Sequence, residues 1–119
     1  MLTVKTKLKE IPGKGIGLIA DQDIKKGQTI WKYHPLIDIK VNEKDIPEEA
    51  KGFFDTYSVD IGGDELFLNT DNARFINHSD NPNTKSLGHL KDNIALRDIN
   101  NGEEITIDYT KIDVTELDF

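Results

Sequence analysis

The residues best suited to chemistry fall in three stretches of this 119-residue chain. Residues 71–84 crowd the amides of Asn72, Asn77, Asn81 and Asn83, the His78 imidazole and the Arg74 guanidinium around the short apolar pair Phe75 and Ile76. Such groups can satisfy many hydrogen bonds of a polar ligand, the edge of a purine included, or can simply bond their own backbone as a loop. The second stretch, Gly13-Lys14-Gly15-Ile16-Gly17, lets backbone approach a ligand closely. It has neither the Walker lysine-serine pattern nor the spacing of a dinucleotide fingerprint, and it opens no helix, so it reads as a turn or a close-approach site rather than a phosphate cradle. The third, Gly102-Glu-Glu-Ile-Thr-Ile-Asp-Tyr109, is a strand ending in a tyrosine whose hydroxyl faces either water or a ligand. His34, His78 and His89 have no recognisable metal-ligand spacing, so no metal is expected. The chain contains no cysteine, which excludes disulfides, thiolate zinc, cysteine-held iron–sulfur clusters and cysteine nucleophiles.

The elements that must carry these residues are short. Leu2, Val4, Thr6 and Leu8 alternate with Thr3, Lys5, Lys7 and Lys9, the period of a half-buried strand, until Pro12 and the glycines break it. Further strands are expected at residues 17–20, 28–33 and 36–41. Residues 45–57 are the one good helix candidate, with Pro47 near the first turn, Glu48 and Glu49 at the positive end of the dipole, and Ala50, Phe53, Phe54 and Tyr57 on one face. A hairpin through Gly62-Gly63 joins residues 57–61 to 65–69, and strands at 94–96 and 104–109 close the chain. Residues 20–30 and 95–105 share the pattern A-x-x-D-I-x-x-G-x-x-I, which suggests two equivalent corners with Gly27 and Gly102 at positive φ. The expected architecture is mainly β.

Length and composition bound the rest. The chain suits one domain, 1–119, with 36% hydrophobic and 31% charged residues, a folded and soluble composition. Net charge is −7, but unevenly: residues 1–32 hold seven lysines against three acids, and residues 98–119 hold seven acids and only Lys111. That field repels nucleic acid and draws cationic peptides. No apolar run approaches a membrane span, and no leader follows Met1, so a cytoplasmic or nuclear setting is expected.

Together, and in this order, the three stretches resemble the SET-domain family of protein lysine methyltransferases. Gly15-Ile16-Gly17-Leu18 with Ala20 and Asp23-Ile24-Lys25-Lys26-Gly27 is similar to that family's first motif. Arg74-Phe-Ile-Asn-His-Ser79 with Asn81-Pro82-Asn83 resembles its core motif, and residues 95–109 resemble its closing segment. The likeness covers about residues 11–110, with 111–119 left as a closing tail. It implies a β-clip-like fold of several small curved sheets with one short helix and a C-terminal pseudoknot.

The resemblance also implies roles. Backbone around Gly15, Ile16 and Gly17, with the polar groups of Asn77 and His78, would hold S-adenosylmethionine. Tyr109 would stand beside the transferring methyl, with Tyr33 as a second hydroxyl at the lysine channel and Ile107, Leu117 and Phe119 lining it. The substrate would be a protein with an accessible lysine, a basic or histone-like one being favoured by charge. Asp80 stands where many members carry a cysteine, and a zinc-bound C-terminal module cannot exist without cysteines, so the tail must close the site differently. A catalytically silent module of the same fold, reading a basic peptide through its acidic surface, is the rival from another class. A small-molecule methyltransferase is a third reading, and a homodimer that completes the substrate groove is the expected assembly if one forms.

Overall fold

A computed structural model describes residues 1–88 and 90–111. Among them run ten short strands: β1 (Thr6–Ile11), β2 (Gly15–Ala20), β3 (Thr29–Trp31), β4 (Asp38–Asn42), β5 (Ser58–Gly62), β6 (Glu65–Asn69), β7 (Asn77–His78), β8 (Thr84–Ser86), β9 (Asn93–Ala95) and β10 (Thr106–Ile107). One α-helix, α1 (Lys51–Tyr57), accompanies them. The strands form four small sheets, ordered β1-β2, β10-β7, β3-β9-β8 and β4-β6-β5. Their inner faces meet on one core that includes Leu18, Ile24, Ile30, Trp31, Phe67, Ile99 and Ile105.

The repeated pattern lies at the centre of this core, and its two copies pair with each other. Ile24 and Ile99 exchange backbone hydrogen bonds, each 2.8 Å. Ala20 bonds Gly102 and Glu103 as Ala95 bonds Gly27 and Gln28. Asp23 Oδ1 accepts from Asn101 N at 2.9 Å, and its counterpart Asp98 accepts from Lys26 N at 2.8 Å. Gly27 (φ 84°) and Gly102 (φ 96°) both take the left-handed conformation that any other residue adopts at a cost. Each shared letter of the pattern therefore does the same job twice, around an approximate two-fold axis.

Two sequence expectations shift. The alternation from Leu2 to Leu8 does not mark a strand of that extent: β1 starts at Thr6, residues 7–10 are exposed, and Leu2 only bridges Trp31. Leu2 and Val4 pack on the core, after which β1 runs along the outer edge of β2, so its apolar period has nothing to bury against. The helix begins at Lys51 rather than near residue 45. Ile46 and Pro47 are extended, as a residue preceding proline prefers, and the segment before α1 is spent in two 3-10 turns.

The C-terminal strand is held on both edges. β10 pairs in parallel with β7, Thr106 opposite Asn77 and Ile107 opposite His78. On the other edge Asn83, 3% exposed, donates to Glu104 O at 2.8 Å and accepts from Thr106 N at 2.9 Å, while Thr84 Oγ1 donates to Thr106 O at 2.7 Å. Residues 77–84 thus wrap strand 104–107, and their polar side chains stand in for the ladder bonds that a wider sheet would supply.

Candidate active site

That wrapping brings the three stretches together. The β1-β2 ribbon turns through Gly13 (φ 79°) and Gly15 (φ 88°), and β2 lies beside the C-terminal strand through Ile105 N donating to Leu18 O at 2.8 Å. Gly17 faces the closest approach. A Cβ there would stand 2.7 Å from Ile11 Cγ1, 2.8 Å from Glu104 Oε2 and 3.1 Å from Asn77 Nδ2, so any other residue would force these side chains to shift.

Asn77 Nδ2 donates to Glu104 Oε2 at 2.9 Å and to Ile16 O at 3.2 Å, tying β7 to both other stretches. Glu104 also meets Lys14 Nζ at 3.3 Å. Tyr109 N–H donates to His78 Nδ1 at 3.0 Å, which places the imidazole proton on Nε2, 2.8 Å from Asp80 Oδ1. The two rings lie 5.4 Å apart. Tyr109 Oη donates to Ile76 O. Burial, and secondarily the Glu104 carboxylate, raise the Tyr109 phenol above its ordinary pKa, so at neutral pH it is a proton donor and not a phenolate.

Tyr109 also lines a cavity of about 350 Å³. Ile107, Ile76, Trp31 and Phe67 make its apolar walls; Tyr57 and β5 close it from the helix side. This volume is at the lower end of ligand sites, about 300–1,000 Å³. Tyr109 therefore touches His78, the neighbour of the Asn77 that reaches Ile16, and also lines the apolar cavity.

The structure does not bring Tyr33 to that cavity. β3 ends at Trp31, and the chain turns where Ile37 and Asp38 donate to His34 O, so the Tyr33 ring packs on Phe67 at 6.1 Å and Trp31 takes the wall instead. Leu117 and Phe119 lie outside the described residues. Two residues were missed by sequence reasoning. Glu104 links Asn77, Lys14 and the Gly17 approach, and Asn83 bolts the strand; only their places in the Gly-Glu-Glu and Asn-Pro-Asn blocks hint at either.

The region beside Gly17 fits an adenosyl sulfonium. Exposed backbone at Gly15 and Ile16, the Asn77 side-chain carbonyl and the Glu104 carboxylate offer hydrogen-bonding groups and negative charge to a polar cation.

Comparison with known proteins agrees with this geometry. The SET domain family model matches residues 15–110. A Candida albicans histone-lysine N-methyltransferase, H3 lysine-36 specific, is 34% identical over 88% of this chain, and the Arabidopsis thaliana histone-lysine N-methyltransferase ASHH1 is 35% identical over 88%. The Xenopus tropicalis N-lysine methyltransferase KMT5A is 31% identical over 87%. The chain spans only 14%, 24% and 35% of these relatives. A crystal structure of a candidate histone methyltransferase from Plasmodium falciparum superposes with a TM-score of 0.65 at 22% identity, covering 91% of this chain and 95% of that one, a likeness of fold.

Proposed function

Because the chain belongs to the SET-domain family, we propose that it methylates lysine side chains of a protein, with S-adenosylmethionine as methyl donor. The observation that carries this reading is Tyr109, which donates its N–H to His78 and lines the apolar cavity. When bound, S-adenosylmethionine supplies a methyl on a sulfonium that an amine lone pair can displace. Gly15, Ile16, Gly17, Asn77 and His78 are the residues that would hold it.

The chain's own residues do the rest. An amine in a cavity walled by Ile107, Ile76, Trp31 and Phe67 loses hydration of its charged form, which lowers its pKa from about 10.4 and exposes the lone pair. Tyr109, kept neutral, orients and polarises at the junction of cofactor and cavity; its raised pKa argues against general-base duty. No metal and no covalent enzyme intermediate are needed, because positioning supplies most of the rate. The protein's negative charge steers a lysine-rich partner to it.

The test is binding and transfer. Calorimetry should show S-adenosylmethionine binding, and incubation with methyl-labelled cofactor and lysate should label protein lysines identifiable by mass spectrometry. Absence of cofactor binding, with and without basic peptides, would refute the enzyme reading and leave the silent peptide-binding module in its place.

A further inference from the structure

The β1-β2 ribbon leaves one strand edge open. Lys5 O accepts from Asp21 N, and in an antiparallel ladder the bonded pairs alternate, so Lys7 bonds Ile19 and Lys9 bonds Gly17. The even residues of β2 face the other way, where Ala20 N donates to Glu103 O and Leu18 O accepts from Ile105 N. On β1 the even residues Thr6, Leu8 and Glu10 therefore point their N–H and C=O groups outward, away from β2. None of those groups has a partner among the described residues, and residues 7–10 are exposed.

The side chains say what fits this edge. Lys5, Lys7 and Lys9 alternate along the strand and so share one face. Lys7 meets Asp21 only at 3.9 Å, and Lys5 and Lys9 belong to no ion pair among the described residues. The opposite face carries Leu8, 40% exposed, which lines a surface concavity with Ile16, 48% exposed. A row of edge lysines repels strands of its own kind. A second copy of β1, paired antiparallel through the same outward groups, would set lysine opposite lysine. An acidic strand meets attraction instead, and its alternate residues meet Leu8. Nucleic acid phosphates would answer the lysines but neither the backbone groups nor the apolar face.

The geometry points to a strand-addition site on β1 for an extended segment of a partner protein with the pattern acid-apolar-acid. The segment runs antiparallel to β1, and its apolar residue exchanges backbone hydrogen bonds with Leu8 and packs beside the Leu8 side chain. The acids before and after it then stand opposite Lys9 and Lys7, about 5 Å away between Cβ atoms, close enough for each to pair with a lysine. This edge is separate from the cavity that Tyr109 lines, and the site does not rest on the methylation reading. It gives a protein of net charge −7 a local docking edge for an acidic partner.

The probe is an acetylated, amidated heptapeptide with glutamate-valine-glutamate at its centre and threonines on both sides, titrated at low salt into nitrogen-15 protein beside its glutamine-valine-glutamine isostere. The glutamate peptide should bind about tenfold more tightly than the isostere, the scale of two cross-strand charge pairs. It should also slow hydrogen exchange at the outward Thr6, Leu8 and Glu10 amides more than at those of Lys7 and Lys9, which already bond β2. Methylation of the peptide's valine nitrogen should abolish binding with the protein untouched. Lys7→Gln combined with Lys9→Gln, both at exposed positions, should erase the preference for glutamate. Equal affinity for the two peptides, or binding retained by the N-methylated form, overturns the site. No binding of either peptide at millimolar concentration also overturns it and leaves the lysines as a guard against pairing. Tighter binding of a short oligothymidine than of the glutamate peptide overturns it in favour of nucleic acid.

Discussion

On one side of Tyr109 the polar groups answer one another: Asn77 bonds Glu104 and Ile16, Glu104 meets Lys14, and His78 takes the Tyr109 amide and faces Asp80. The cavity that Tyr109 lines is walled instead by Ile107, Ile76, Trp31 and Phe67, which offer apolar surface rather than fixed partners. The first region is set in place by its own network. The second is shaped by packing alone. On the proposed reading, a polar network for the cofactor and an apolar cavity for the lysine is the division expected of an enzyme that positions one ligand firmly and strips water from the other.

The comparison can be broken most forcefully at Tyr109. Tyr109→Phe removes the hydroxyl that donates to Ile76 O and should lower kcat by about 100-fold or more, the scale of losing one preorganised donor. Cofactor affinity, measured by calorimetry, should stay within about threefold. Gly17→Ala attacks the cofactor side alone. A methyl forced against Ile11, Glu104 and Asn77 should cost about 1–3 kcal/mol in urea unfolding and weaken the cofactor with it. Asn77→Ala, which leaves Glu104 and Ile16 O without their shared donor, should raise the cofactor Kd about tenfold, equivalent to ~1.4 kcal/mol.

A pH titration sharpens the same contrast more gently. Burial and Glu104 raise the Tyr109 pKa above 10.0, so the folded chain keeps this proton longer than the unfolded chain. Its contribution to stability is therefore level below pH 10 and falls as pH rises from there through the folded pKa. Tyrosinate absorbance and unfolding midpoints from about pH 9 to about pH 11 should show a late-titrating component that Tyr109→Phe removes. The smallest effect belongs to Lys14→Ala. Its ion pair with Glu104 is at the surface edge of the network and should be worth less than ~1 kcal/mol, fading with salt.

What could be read from the sequence follows from how local each device is. The paired corners were legible because Gly27 and Gly102 answer a backbone demand that only glycine meets cheaply, and because the same letters recur at the same spacing. The Arg74–Ser79 block and the closing segment up to Tyr109 were legible as motifs, although the strand stops at Ile107 and Tyr109 opens a 3-10 turn. Glu104 was not singled out, since its partner Asn77 is 27 residues away and nothing in either segment announces the other. The cavity is further still from inspection: Trp31, Phe67 and Ile107 sit on three different strands, and only packing shows that they share a space. Tyr33 was placed from its motif alone; in the fold its ring packs on Phe67, from behind a wall of the cavity that Trp31 lines directly.

If Tyr109 stands between bound cofactor and substrate, one spectrum shows it. With the protein labelled by nitrogen-15, addition of S-adenosylhomocysteine, the unreactive product of the donor, should shift the Asn77 side-chain amide and the His78 backbone resonance and leave the Trp31 indole N–H where it was. A shift of the Trp31 indole with Asn77 and His78 unmoved would place the cofactor in the cavity and contradict the account.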